Sequence, residues 1–232
     1  MRLVTLLLSL LASSAIAQSA FVQGTSTSAT CSNSCNLAFG SNVTAGACLF
    51  AMLRNTFGST PSSVSDGVNG AWTSSFANAS PTQTSHGWHG YRFMGAGAGA
   101  TTVTVSYGAS TDLILLIIEY YPCKTTLVDS DTSELDNVDP ATCAANTATA
   151  ANQRQVGFIG HSSTATIAPN SSETQRVYQT ARMQAQDKLT SGAGAITQSW
   201  DFDFAVDAVC WSIILDSGAS IPIIMHHRGQ QE

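Results

Sequence analysis

The chain has 232 residues, with 9 lysines and arginines against 15 aspartates and glutamates, so its formal charge is −6. This acidity argues against a nucleic-acid partner, which needs a basic surface, and against a polybasic membrane-surface role. Only 10% of the residues are charged and 44% are hydrophobic, a composition that favours strands over solvated helices and is too apolar for disorder.

Residues 1–17 are predicted to be a secretory signal peptide. Arg2 supplies the positive start, an apolar run follows, and Ala15-Ile16-Ala17 gives the small-x-small cleavage pattern before Gln18. The apolar run is too short to cross ~30 Å of hydrocarbon as an anchor. We therefore expect residues 18–232 to form one secreted or cell-surface domain, with no membrane span and no internal repeat.

Short apolar or alternating runs between turn residues predict a series of strands. In chain order they are residues 20–23, 36–39, 47–53, the hairpin 64–76, 86–94, 101–107, 113–118, 195–204, 208–215 and 221–225. Residues 113–118 are six consecutive branched aliphatics, which predicts a central strand covered on both faces.

The remaining segments are polar or ambiguous. Residues 124–154 and 160–175 are predicted to be polar connections, the first of them strongly acidic. Residues 176–189 fit a helix preceded by a capping box, but also fit strands, which the neighbouring strands favour. Many short strands and few helix signals predict an all-β, two-layer antiparallel β-sandwich.

Four segments follow the pattern of a known family: residues 64–73 (VSDGVNGAWT), 96–107 (AGAGATTVTVSY), 118–120 (IEY) and 186–215. They resemble the hairpin, strands and closing hairpin of secreted bacterial β-sandwich modules of the concanavalin A-like lectin/glucanase type. The resemblance implies a jelly-roll fold and an extracellular setting, and implies no particular reaction.

All six cysteines follow residue 17, and an even number in an exported chain predicts disulfides. Fifteen pairings are open; the preferred one is Cys31–Cys35, Cys48–Cys210 and Cys123–Cys143. Zinc at Cys31 and Cys35 is disfavoured, because no second pair of ligands follows nearby.

Paired carboxylates are candidates for a glycosidase-like site. Asp201 and Asp203 share a predicted strand face, about 6.6 Å apart, within the reach of acid–base glycosidase chemistry. Glu119 has the parity of an apolar face, where burial would raise its pKa. The favoured interpretation of Glu119 is a structural ion pair with Arg54 or Arg92.

Four acidic residues are candidates for a calcium site. Asp129, Asp131, Glu134 and Asp136 supply enough oxygen for this hard cation, although the glycine of an EF-hand is missing. A solvated acidic loop is the default interpretation. A histidine metal site is not expected, because offsets of one or three residues place side chains on opposite strand faces.

Aromatic side chains suggest a sugar contact. Trp88, Tyr91 and Arg92 lie in one predicted strand and Trp72 lies on the neighbouring hairpin. Exposed rings beside polar groups grip sugars by stacking, whereas in apolar strands the same rings fill a core.

These observations predict an exported, non-catalytic extracellular module that binds a glycan or mediates surface adhesion. One alternative is a self-assembling subunit of a surface layer or filament, in which residues 20–23 or 221–225 add to a neighbour's sheet edge. The other alternative is a secreted enzyme similar to glycoside hydrolases.

Overall fold

The computed structural model describes residues 18–56, 59–77, 86–179 and 182–216. The predicted signal peptide and the predicted strand at residues 221–225 lie outside these ranges. The described residues form strands, turns and loops and include no helix. The all-β prediction is confirmed.

Nineteen strands make up the described chain. Those of the first half are β1 (Ala20–Cys31), β2 (Ser34–Ala38), β3 (Cys48–Thr56), β4 (Ser63–Asp66), β5 (Gly70–Ala71), β6 (Thr73–Ala77), β7 (His86–Met94), β8 (Thr102–Ser106) and β9 (Thr111–Tyr121). Those of the second half are β10 (Leu127–Val138), β11 (Ala141–Thr142), β12 (Asn146–Ala148), β13 (Arg154–His161), β14 (Ile167–Pro169), β15 (Thr174–Gln179), β16 (Met183–Leu189), β17 (Gly194–Ile196), β18 (Ser199–Phe202) and β19 (Val206–Leu215).

Each half of the chain forms its own sheets, all of them antiparallel. The first half builds sheet A, in the order β1-β9-β3-β7-β6, and sheet B, in the order β2-β8-β4-β5. The second half builds sheet C (β10-β19-β13-β16-β15), sheet D (β11-β18-β14) and the two-stranded sheet E (β12-β17).

The sheets stack in more layers than the two that were predicted. One hydrophobic cluster lies between sheets B and A, a second between A and C, and a third between C and D. On β3, for example, Leu49 and Ala51 face sheet B, whereas Phe50 and Met52 face sheet C. β9 is likewise buried on both faces, as its run of branched aliphatics predicts.

The two halves repeat one topology, although no repeat is visible in their sequences. In sheets A and C alike, the first strand of the half pairs with its last, and the last strand pairs with the third or fourth. Leu116 in β9 pairs with Met52, and Trp211 in β19 pairs with Phe158. Met52 and Phe158 are 106 residues apart, whereas Leu116 and Trp211 are 95 residues apart. The second half therefore has a shorter connection between these two paired strands, although the strands pair in an equivalent way.

Three disulfides are present, and all six cysteines belong to them. They are Cys31–Cys35, Cys48–Cys123 and Cys143–Cys210. The first was predicted, but the pairings Cys48–Cys210 and Cys123–Cys143 were wrong. Cys48 faces the core between sheets A and C, whereas Cys210 faces the core between C and D. Each bridge therefore stays within one half, and three disulfides are consistent with an extracellular location.

Some polar segments predicted as connections are strands. β1 continues to Cys31 through a Ser/Thr-rich stretch, and the acidic residues 127–138 form β10. Both strands lie at the edge of their sheets, where polar side chains remain in contact with solvent. Residues 176–189 contribute to two strands, β15 and β16, so the strand interpretation of this segment is confirmed and the helix is wrong.

A close contact fixes sheet A on sheet C. The ring of Trp88 on β7 lies over Gly160 on β13, so closely that a Cβ built on the glycine would come within 2.0 Å of the ring. Trp88 is fully buried. Because the indole is held by the surrounding core, no side chain larger than hydrogen fits at position 160.

Gly160→Ala should therefore destabilise the protein by about 1–3 kcal/mol, because the added methyl overpacks this contact. Urea unfolding followed by tryptophan fluorescence measures the change. Gly192→Ala is the matched control, since a Cβ there meets nothing within 4 Å. Equal stability of the two variants would contradict the packing of sheet A on sheet C.

Candidate functional site

The aromatic residues proposed as a sugar platform are buried. Trp88 is fully buried in the core between sheets A and C, and Tyr91 and Trp72 pack in the core between sheets A and B. Arg92 is half-buried and donates a hydrogen bond to Ser75 Oγ at 3.3 Å. These side chains present no ring to a ligand, so the core interpretation is correct for all three aromatics.

Trp72 instead closes the β4–β5 turn. Its indole Nε1 donates to Asp66 Oδ2 at 2.6 Å, and Asp66 Oδ1 accepts the backbone N–H groups of Val68 and Asn69 at 2.8 and 2.7 Å. The carboxylate thus satisfies the turn and the ring together, which gives this motif a structural role.

The proposed catalytic carboxylates do not converge. Glu119 is fully buried on β9 and faces sheet B, whereas Asp201 lies exposed on sheet D and Asp203 just follows that sheet's β18 strand. Sheets A and C stand between these positions. Asp203 Oδ1 accepts the backbone N–H of Thr166 at 2.9 Å, which ties the loop before β14. The structure therefore does not bring Glu119 together with either aspartate.

Glu119 has neither of its predicted arginine partners. Its Oε1 accepts the backbone N–H of Thr44 at 2.7 Å, and its Oε2 accepts Gln23 Nε2 at 2.6 Å. Gln23 in turn exchanges hydrogen bonds with Ser41. The buried carboxylate therefore fastens β1 and the loop before β3 to the end of β9.

The acidic residues proposed for calcium lie along β10 and are divided between its two faces. Asp129 Oδ2 accepts the backbone N–H of Thr147 of β12, and Asp131 has the same strand parity. Glu134 and Asp136 have the opposite parity and point away from them. In the part of the chain that the structure describes, no three potential ligands cluster as a metal site requires. A hydrogen bond and charge repulsion from Asp207 raise the pKa of Asp136.

A buried ionic cluster that the sequence did not reveal joins the two halves. Asp187 on β16 is fully buried and accepts hydrogen bonds from Arg176 (2.8 and 2.9 Å), Arg154 (3.1 Å) and Tyr120 Oη (2.7 Å). Burial, and then the charge of Asp187, raises the pKa of Tyr120 well above its usual value. Arg176 also lies 5.2 Å over the ring of Phe21. Both carboxylate oxygens are saturated, so the cluster serves as a tether.

The edge strands of the two large sheets differ in charge. β1 is an edge of sheet A, twelve residues long, and contains no charged residue and no proline. β10 holds the equivalent place in sheet C, also with twelve residues, and carries the four carboxylates described above. No described strand pairs with the outer edge of either.

A second distinctive surface is the outer face of sheet B. Alternation on its strands turns Cys35, Val64, Val103 and Val105 toward the core. The outward residues are uncharged and mostly hydroxylic: Ser34, Asn36, Ser63, Ser65, Thr102, Thr104 and Ser106. Thr104 donates to Asn36 Oδ1 at 2.8 Å across the strands. This face is a neutral array of hydrogen-bonding groups.

Comparison with known proteins identifies no relative: no family model, no curated protein and no solved structure matches the chain.

Across the described ranges, no helix has the length and apolar character needed to cross a membrane.

Two buried histidines make the stability of the fold depend on pH. Burial lowers the pKa of His89 from 6.5 to about 4, and burial together with Arg182 and Arg54 lowers that of His161 to about 4. Between these values the unfolded chain binds protons that the folded chain does not. The free energy of unfolding should therefore fall as the pH drops from about 6.5 to about 4, with each histidine contributing up to about 1.4 kcal/mol per pH unit.

His89→Gln should make the free energy of unfolding less dependent on pH, by up to about 1.4 kcal/mol per pH unit, because glutamine does not titrate. Urea unfolding of both proteins at several pH values between 7.5 and 4.5 measures the difference. An identical slope in the two proteins would show that His89 is not held neutral in the fold.

Proposed function

We propose that this protein is an exported, non-catalytic structural subunit that self-associates by strand addition at β1. The observation that supports the proposal is that β1, an edge strand of sheet A, has no charged residue and no proline. The three disulfides and the predicted signal peptide agree with an extracellular setting.

The backbone of β1 has the properties of a pairing template. An edge strand leaves a row of N–H and C=O groups without strand partners, and proteins ordinarily blunt such edges with charges, proline, bulges or short length. β1 is long and carries neither charge nor proline, and its one irregularity lies near its start, between Phe21 and Gln23. The eight residues after Gln23 pair with β9 without interruption.

The other edges of the two large sheets are protected. β10 carries Asp129, Asp131, Glu134 and Asp136, and two such strands would repel each other. β6 has only five residues and contains a bulge, and β15 carries Arg176 and a bulge. The partner that fits β1 is therefore the β1 strand of a second copy.

Two β1 strands that pair antiparallel give a closed, two-fold dimer. Sheet A would then continue across the contact as a ten-stranded sheet, with the same patch used on both subunits. The new ladder adds backbone hydrogen bonds to strand edges that are solvated in the monomer. Such a dimer is the repeating unit from which a surface layer could be built through further contacts.

Lysines on β1 should abolish this association. Ser28 and Ala29 are exposed on β1, so Ser28→Lys combined with Ala29→Lys adds charge to the edge without disturbing a core. Sedimentation velocity of the oxidised chain from Gln18 should show a concentration-dependent dimer for the natural sequence, and a monomer for the double variant.

Thr102→Lys is the matched control, because Thr102 is exposed on β8, an interior strand of sheet B. It should dimerise like the natural sequence. A natural chain that stays monomeric up to high micromolar concentration, or a double variant that still dimerises, would contradict the proposal.

A second candidate function is the binding of a neutral glycan by the outer face of sheet B. The support for it is the uncharged hydroxyl array around Asn36 and Thr104, which matches the hydrogen-bonding groups of an uncharged polysaccharide. Rings are absent from the described strands of this face, so the contact would rest on hydrogen bonds.

The same variants separate the two functions. Thr102→Lys should weaken retention on insoluble neutral polysaccharides such as cellulose while leaving dimerisation intact, and the β1 double variant should do the reverse. Failure of the natural chain to sediment with any neutral polysaccharide tested would remove the glycan candidate.

A further inference from the structure

A group of cationic side chains lies at the rim where sheets A and C meet, at the opposite end from the Asp187 cluster. On β3, alternate residues point toward sheet C, and the series Phe50, Met52, Arg54 starts in the core and ends at this rim. Arg54 pairs in register with Trp88 of β7, whose ring covers Gly160 of β13. Arg54 therefore stands where the end of β13 approaches sheet A.

Arg182 reaches the same rim from sheet C. It directly precedes β16, and its carbonyl accepts the backbone N–H of His161 at 3.0 Å, at the end of β13. One of its guanidinium nitrogens donates to the carbonyl of Ser162. His86, at the start of β7, has the same strand parity as Trp88 and so also faces sheet C.

These groups sense each other's charge. Burial, and then Arg182, lowers the pKa of Arg54 to about 10. Burial, then Arg54 and Arg182, lowers the pKa of His86. Asp112 on β9 is the acidic group that opposes both effects, and it accepts a hydrogen bond from Thr30 Oγ at 2.7 Å.

One nitrogen of the half-buried Arg54 guanidinium lacks a partner. Its Nη1 is inaccessible to water and has no hydrogen-bond acceptor among the described residues. None of the ion pairs formed by the described residues includes Arg54 or Arg182. By contrast, Arg154 and Arg176 at the other end of the interface share the carboxylate of Asp187.

A buried donor without an acceptor destabilises the fold, and more so when it is charged. The charges of Arg54 and Arg182 repel each other, and Asp112 offsets only part of this repulsion at Arg54, whereas a bound anion would reverse it. Guanidinium forks bind the oxygens of sulfate, phosphate or carboxylate with paired hydrogen bonds.

We propose that Arg54 and Arg182, with His86 beside them, form an oxyanion-binding site at the rim of the sheet A–sheet C interface. The ligand is a sulfate, phosphate or carboxylate group, free or borne on a larger molecule. Because one arginine comes from each half of the chain, the bound anion also joins the two halves. Neither arginine lies on β1, and the test below does not depend on association, so dimerisation and anion binding can be distinguished.

The test measures stabilisation by anions in the oxidised chain from Gln18. Thermal unfolding is followed with increasing sodium sulfate, sodium phosphate or sodium acetate, with ionic strength held constant by sodium chloride. At least one of these anions should raise the melting temperature saturably, as a ligand that binds only the folded state does. The anion that acts at the lowest concentration identifies the class of group.

Arg54→Gln and Arg182→Gln should each weaken the response at least tenfold in half-saturating concentration. Arg92→Gln is the matched control, since Arg92 has the same strand parity on β7 but bonds to Ser75, and it should respond like the natural chain. If Arg54→Gln does not fold, Arg182→Gln alone decides. The absence of a saturable response to all three anions, or an undiminished response in Arg182→Gln, would overturn the proposal.

Discussion

Sheets A and C pack face to face on a shared hydrophobic core, and the arrangement of the two halves of the chain depends on this contact. Trp211 of β19 stacks on Phe158 at 4.8 Å and packs edge-on against Phe50 of sheet A at 6.0 Å. Glycines let the sheets approach: a Cβ at Gly90 would come within 3.1 Å of Trp211, and one at Gly160 would collide with the ring of Trp88. Large rings that pack on glycines fix the position of one sheet on the other, because a shifted position would leave voids or cause collisions.

The repeated topology explains why each half needs the other. Each half covers one face of its large sheet with a smaller sheet, which leaves the opposite face apolar and open to water. The two open faces close on each other. The halves share the position of strands and turns along the chain. Leu116 and Trp211 are 95 residues apart, and so are Gly99 and Gly194, which both have a positive φ. Alternation and turn geometry keep such a repeat without keeping residue identity, so the sequence did not show it.

The features that the sequence predicted are those set by local pattern. The run at residues 113–118 requires burial on both faces, and parity places Glu119 on an apolar face, as found. Features set by contacts between distant strands were missed. The cysteine pairing depends on which core each strand faces, and the burial of Trp88 depends on Gly160, seventy-two positions later. Residues 24–31 of β1 and all of β10 were not predicted as strands, because an edge strand needs no apolar alternation on its solvent side.

The two ends of the sheet A–sheet C interface differ in how the charges of their arginines are balanced. At one end, the carboxylate of Asp187 pairs with Arg154 and Arg176. The hydroxyl of Tyr120 donates a further hydrogen bond to this carboxylate. At the other end, neither Arg54 nor Arg182 forms an ion pair with a described carboxylate, and Asp112 acts on Arg54 only through its charge. The half-buried Arg54 thus keeps one guanidinium nitrogen that is shielded from water and has no acceptor among the described residues. An external anion would give the second end the same closed arrangement as the first.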